Sequence, residues 1–163
     1  MEKRIKLDEL EPAAYHAMLA FEKYLNTLTL TTTHRDLIKI RASQINGCSY
    51  CVDMHIKDAR KAGEREQRLH MLLLWKETTF FTPEEKAILA LTEEVTLIAQ
   101  RVSDETYNDA IKLLGEKYTA QVIMAIIGIN AWNRIGVSTN MIEASWHALV
   151  DSIVYGLMRC EAK

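Results

Sequence analysis

Apolar residues recur along this chain at the three- and four-residue spacing of amphipathic helices, and no stretch alternates apolar with polar as a half-buried strand does. Tyr15, Met18, Leu19 and Glu22 follow one another at about one turn, and Pro12 suits the first turn of the helix they define, predicted to run to about Leu25. Thr33-His34-Arg35-Asp36 fits a capping box opening a second helix, with Leu37, Ile38, Ile40 and Ile45 on its apolar face and Asn46-Gly47 as its stop. A third helix is predicted from Cys48 or Ser49 to Gly63, with Lys57, Arg60 and Lys61 near its C-terminal end, where the helix dipole favours cations. Leu69, Met71, Leu72, Leu73, Leu74 and Trp75 define the core of a fourth.

Thr82-Pro83-Glu84-Glu85 combines a cap, a proline at the first position and an acid at the third, the clearest helix start in the chain. Ile88, Leu89, Leu91, Val95 and Ile98 continue that fifth helix. Ser103-Asp104-Glu105 opens a sixth, closed by Gly115. The seventh, from about Thr119 to Arg134, carries Val122, Ile123, Ile126, Ile127 and Ile129 nearly all round. Such a helix must be buried on several sides, and part of it is expected to face another subunit. Residues 138–160, with Met141, Ile142, Trp146, Leu149, Ile153 and Leu157, are predicted helical as well. The expectation is one all-α domain over residues 1–163, without internal linker or repeat.

Composition agrees and excludes several classes of function. Hydrophobic residues make up 48% and charged residues 26%, which is globular rather than disordered. With 20 Lys plus Arg against 22 Asp plus Glu, the net charge of −2 gives no basic footprint for nucleic acid. The longest apolar run, Val122 to Ile129 counting Gly128, is eight residues. A membrane span needs about 20. Met1-Glu2-Lys3-Arg4 leads into mixed charge rather than an apolar signal core, so a reducing cytoplasmic setting is expected. In that setting, two of the three cysteines, arranged as Cys48-Ser49-Tyr50-Cys51, point to redox chemistry or metal binding.

Helical register sharpens this. Cys51 and His55 are four residues apart and Cys48 and His55 seven apart, so all three fall on one stripe. If the helix starts at Cys48, its unpaired first-turn amides and dipole favour thiolate. Cysteines at i, i+3 in a helix have Cα atoms about 5 Å apart, within disulfide range. Peroxide reduction needs a thiolate, a group such as His55 to move the proton, a carboxylate to orient that group, and a second thiol to trap the sulfenic acid. Asp36 is a candidate carboxylate, although a capping role would explain it fully. Spacing alone does not decide which cysteine attacks, and the helix start alone would make Cys48 the more exposed. Zinc held by Cys48, Cys51 and His55 would need a fourth ligand, and no second cluster supplies one. Tyr50 suits either a pocket wall or a solvent-facing helix start. Asn130, Trp132 and Arg134 read as scaffold, the Met71–Leu74 run and Trp75 as core, and Cys160 as an incidental thiol.

Residues 36–64, running from Asp36 through Arg41-Ala42-Ser43-Gln44-Ile45-Asn46-Gly47-Cys48 to Glu64, closely resemble the core motif of the alkylhydroperoxidase D (AhpD)-like family within the carboxymuconolactone decarboxylase superfamily. Phe80-Phe81-Thr82-Pro83-Glu84-Glu85-Lys86-Ala87 and Ile129-Asn130-Ala131-Trp132-Asn133-Arg134 extend the likeness over about residues 10–136. The resemblance implies a thiol-dependent, antioxidant peroxidase with Cys51 peroxidatic, Cys48 resolving, and His55 and Asp36 as its proton relay. It implies no metal, haem or flavin, a dithiol reductant as partner, and homo-oligomers built on trimers, as trimer or hexamer. Two residues depart from the family pattern. Asp36 stands where the family usually has Glu, one methylene longer, so a water is expected between it and His55. Tyr50 stands where well-studied members have a second His. The rival readings are a disulfide-exchange or redox-sensing protein, a decarboxylase acting on a lactone acid, and a non-catalytic helical module.

Overall fold

A computed structural model describes residues 4–139, and among these residues the regular structure is entirely helical. A short α1 (Leu7–Leu10), not foreseen from the sequence, precedes α2 (Pro12–Leu25), which has its proline in the first turn. Then come α3 (Thr32–Ile45), α4 (Ser49–Lys61) and α5 (Glu66–Met71), the last tightening into a 3-10 turn over Leu72–Glu77. The remaining helices are α6 (Pro83–Thr96), α7 (Asp104–Leu114) and α8 (Glu116–Ser138). The Thr82–Glu85 capping box and the Ser103 cap form as the sequence implies. The expected helix over 138–160 and Cys160 lie almost wholly outside the described residues. Among the described residues, no helix is long and apolar enough to cross a membrane.

Helix α3 is the central wall. It packs against α4, α6 and α8, and its two apolar sides feed two cores. Ile38 and Ala42 join Leu25, Ile88, Leu91, Val122 and Ile126 in one core. Leu37 and Ile40 join Ala59, Leu69, Leu72, Trp75 and Leu89 in the other. Fully burying side chains of this size stabilises by roughly 1.5–3 kcal/mol each, so α3 is fixed on both sides and can carry functional groups along what remains.

Three sequence expectations are corrected. Helix α3 begins two residues early, because Thr31 rather than Thr33 is the cap, its side chain accepting from the His34 amide at 3.1 Å. Of three consecutive threonines the fold selects the first, so Asp36 lies beyond the capping turn and is free of that duty. The Leu72–Leu74 run does not all enter the core: Leu72 and Trp75 are buried, whereas Leu73 and Leu74 are exposed. The 3-10 turn, with Leu74 at φ −113° and ψ 28°, rotates neighbouring side chains out of a common face. Helix α6 stops at Thr96 and leaves Ile98 exposed in a following 3-10 turn.

The ending of α3 is what delivers the cysteines. Gly47 adopts φ +66°, its amide donates to the Gln44 carbonyl, and the Cys48 amide reaches back to the Ser43 carbonyl at 3.0 Å. This is a Schellman closure, which needs a residue tolerant of the left-handed region at the Gly47 position. It makes Cys48 both the last tie to α3 and the cap residue of α4. Asn46 locks the junction from the side: its Nδ2 donates to Asn130 Oδ1 and Asn133 Oδ1 on α8, both at 2.9 Å. Asn133 in turn donates to Ser43, and Asn130 to Thr96, so these buried polar groups satisfy one another as the scaffold reading of Asn130 required.

Candidate functional site

The α3–α4 junction brings Cys48, Cys51 and His55 onto one buried stripe, as the register predicts. The three are only 2%, 4% and 8% exposed. The two cysteines form a disulfide with Cα atoms 5.3 Å apart. Gly136 of α8 backs the pair, and a Cβ added there would lie 3.3 Å from Cys48 Sγ and 3.5 Å from Cys51 Sγ. Among the described residues, no group of three or more His, Cys, Asp or Glu side chains is arranged to hold a metal ion.

A cavity of about 330 Å³ is lined by Cys51 and not by Cys48. The expectation that the helix start would leave Cys48 more exposed is therefore corrected. Both sulfurs lie against Gly136 of α8, and Cys51, in the first turn of α4, is the member of the pair that lines the cavity. Helix α4 also contributes Tyr50, Met54, His55 and Asp58 to the wall. Tyr50 is thus part of the cavity rather than a solvent-facing residue. Helix α3 contributes Asp36 and Lys39, one turn apart on the face left free by its two cores.

Burial sets the electrostatics. The His55 imidazole is pushed down to about 4, first by burial and then by the Lys39 ammonium, against the opposing pull of Asp58 and Glu22. It is therefore neutral near pH 7, with a nitrogen able to accept a proton. Burial pushes the Asp36 carboxyl up to about 6, with Lys39 opposing. No hydrogen bond joins Asp36 to His55, although both line the cavity. Near pH 7 the cavity therefore holds a neutral imidazole and a mostly ionised carboxyl beside a cysteine at the start of a helix. Such an arrangement can deprotonate a thiol and protonate a leaving oxygen.

Glu22, Lys39, Asp58 and Trp132 line the wall, although the sequence pattern does not single them out for it. Glu22 arrives from α2, where its Oε1 accepts from Lys39 Nζ at 2.9 Å and its Oε2 from Trp132 Nε1 at 3.2 Å. Trp132, read from sequence as scaffold, forms cavity wall with Ile129 of α8, and Tyr15 packs edge-on against it. For Glu22 the signal is its place one turn after Met18, on the partly buried side of α2. For Lys39 the signal was its position one turn after Asp36. Arg134 behaves as scaffold, its guanidinium donating to the Asn130 carbonyl at 2.8 Å.

This helical frame, with a cysteine pair opening one helix beneath a cavity, defines a class of protein that the comparisons identify. Residues 12–94 match the carboxymuconolactone decarboxylase family, and the chain belongs to that family, in its AhpD-like branch. An uncharacterized protein of Bacillus subtilis, YdfG, is 43% identical over 89% of this chain and 99% of its own length. A crystal structure of ATU0492 from Agrobacterium tumefaciens, a protein of unknown function suggested to be the antioxidant defence protein AhpD, superposes with a TM-score of 0.80. It is 36% identical to this chain, over 83% of this chain and 94% of that one. A stretch of 34 residues is 62% identical to part of the (R)-citramalate synthase of Aquifex aeolicus, 6% of that enzyme's length. Family membership and the Cys48–Cys51 pair together support a redox role.

Proposed function

We propose that this chain is a thiol-dependent peroxidase that reduces hydroperoxides through a Cys48–Cys51 dithiol/disulfide cycle. The observation that carries the reading is that Cys51, and not Cys48, opens onto the cavity shared with His55 and Asp36. Neutral His55 accepts the Cys51 thiol proton. The thiolate attacks the terminal oxygen of R–O–O–H, the O–O bond breaks, and Cys51 becomes a sulfenic acid while RO⁻ leaves and takes a proton to become ROH. Asp36, near half-protonation at about pH 6, supplies or relays that proton through water. The Cys48 thiol then attacks the Cys51 sulfur, water leaves, and the disulfide forms. A dithiol reductant returns both cysteines to thiols and becomes a disulfide itself.

Stopped-flow oxidation of the reduced protein by cumene hydroperoxide tests this. The expected bimolecular rate lies well above that of free cysteine, and a rate no better than free cysteine overturns it. The missing hydrogen bond between Asp36 and His55 favours a second reading, disulfide exchange or redox sensing with the same cysteines. That reading gains if peroxide reacts slowly while small dithiols exchange fast. Decarboxylation of a lactone acid is disfavoured by a cavity with carboxylates Glu22, Asp36 and Asp58 in its wall and, among the described residues, no arginine to pair with an anionic substrate.

A further inference from the structure

The Glu22–Lys39 pair takes and gives no proton in the proposed peroxidase cycle, yet it sets the charge of one side of the cavity. Among the described residues, Lys39 is the only Lys or Arg in the wall, and it stands on the same face of α3 as Asp36. Left alone, its ammonium would make that wall a receptor for an anion. Glu22 prevents this. Its carboxylate reaches in from α2, is held by Lys39 on one oxygen and Trp132 on the other, and both charged side chains are largely withdrawn from water, at 18% and 26% exposure. With Lys39 neutralised, the wall facing an incoming molecule offers the carboxylates of Asp36 and Asp58 together with the apolar surfaces of Met54, Ile129 and Trp132.

We propose that Glu22 is a specificity-determining residue that masks Lys39, so that the cavity accepts uncharged, apolar hydroperoxides and turns away those bearing a carboxylate. The inference rests on the peroxidase reading for its substrate class, but the discrimination itself is electrostatic. An anion entering beside Asp36 and Asp58 meets repulsion in a partly enclosed site, where screening by water and salt is weak. Such discrimination by repulsion is as effective as added attraction for the favoured ligand.

The test uses a matched pair, cumene hydroperoxide and its 4-carboxy derivative, which present the same O–O bond with and without a negative charge across the ring. Glu22→Gln keeps an acceptor for Trp132 while releasing Lys39. The ratio of the Cys51 oxidation rate constant for the carboxylated peroxide to that for the parent is expected to rise about tenfold in this variant. In Lys39→Met the ratio is expected to stay low or fall further. An unchanged ratio in Glu22→Gln, including one in which both rates drop together because α2 has shifted, overturns the proposal. The two product alcohols, titrated calorimetrically against wild type and Glu22→Gln, give the same ratio without turnover. If neither peroxide oxidises Cys51 in the wild type, the peroxidase reading fails, and the alcohol-binding ratio still decides the role of Glu22: a tenfold rise supports it and no rise overturns it.

Discussion

Asp36 and His55 look into one cavity from neighbouring helices, yet no hydrogen bond joins them. The shorter acid in place of the family's usual Glu gives the physical reason: a carboxyl one methylene closer to its own helix leaves room for water. Asp36→Glu should restore reach and raise the rate of Cys51 oxidation by about tenfold, whereas Asp36→Asn should lower it by about tenfold or more. Single-turnover fluorescence with cumene hydroperoxide measures both. Equal rates in all three proteins would remove Asp36 from the relay.

The same two residues impose opposite pH dependences on stability. Folding lowers the His55 pKa from 6.5 to about 4, so the unfolded chain takes up this proton first as the pH falls. The stability due to neutral His55 is intact above pH 6.5 and is lost as pH falls through 4, a loss of at most about 3 kcal/mol. Urea titrations between pH 7 and pH 4.5 should show this loss in the wild type and a flatter profile in His55→Gln. A parallel decline in both proteins would contradict the burial-driven depression.

For Asp36 the direction reverses. Its pKa is raised from 3.8 to about 6, so its contribution to stability is present below pH 3.8 and lost as pH rises through 6. Asp36→Asn is therefore expected to be more stable than wild type at pH 7.5, by about 1 kcal/mol once partial solvation is allowed for, and to lose that advantage near pH 4. Loss of activity together with gain of stability is the signature of a group kept for chemistry at the expense of folding.

The asymmetry between the sulfurs gives a direct chemical test. One equivalent of peroxide, added to the single-cysteine variants, should leave a trappable sulfenic acid on Cys51 in Cys48→Ser, and little on Cys48 in Cys51→Ser. Mass spectrometry with a dimedone-type trap reads this out. The opposite pattern would mean that the cavity is not the route by which peroxide reaches sulfur.

Gly136 tests the backing of the pair. Alanine there brings a methyl group to 3.3 Å from Cys48 Sγ, tighter than ordinary contact. The expected cost is about 1 kcal/mol, or a fall in Tm of about 3 °C for a chain of this size. An unchanged melting temperature would show that the sulfurs can yield.

What could be read from the sequence was what short-range chemistry dictates. Caps and stops such as Thr82-Pro83-Glu84-Glu85 and Asn46-Gly47 act within a turn of themselves, and the register of Cys48, Cys51 and His55 is a property of one helix. The cap of α3 is ambiguous in the sequence because Thr31, Thr32 and Thr33 are locally equivalent and only packing chooses among them. Glu22, Lys39 and Trp132 could not be joined into a wall beforehand, because their meeting depends on how α2, α3 and α8 cross. Leu73 and Leu74 look like core in the sequence because a continuous apolar run carries no period to reveal a break in the helix.

The clasp that Asn46 makes with Asn130 and Asn133 has a bearing on how this protein ages. Asparagine followed by glycine is the sequence most prone to deamidation, because the unhindered glycine amide can close on the asparagine carboxamide as a succinimide. Here the carboxamide is held by two oxygens of α8 and the Gly47 amide is engaged with Gln44, so neither partner is free to turn toward the other. The folded protein shelters its most perishable peptide bond immediately before its cysteines, and chemical wear at that bond becomes a record of how often the α3–α8 junction has come apart.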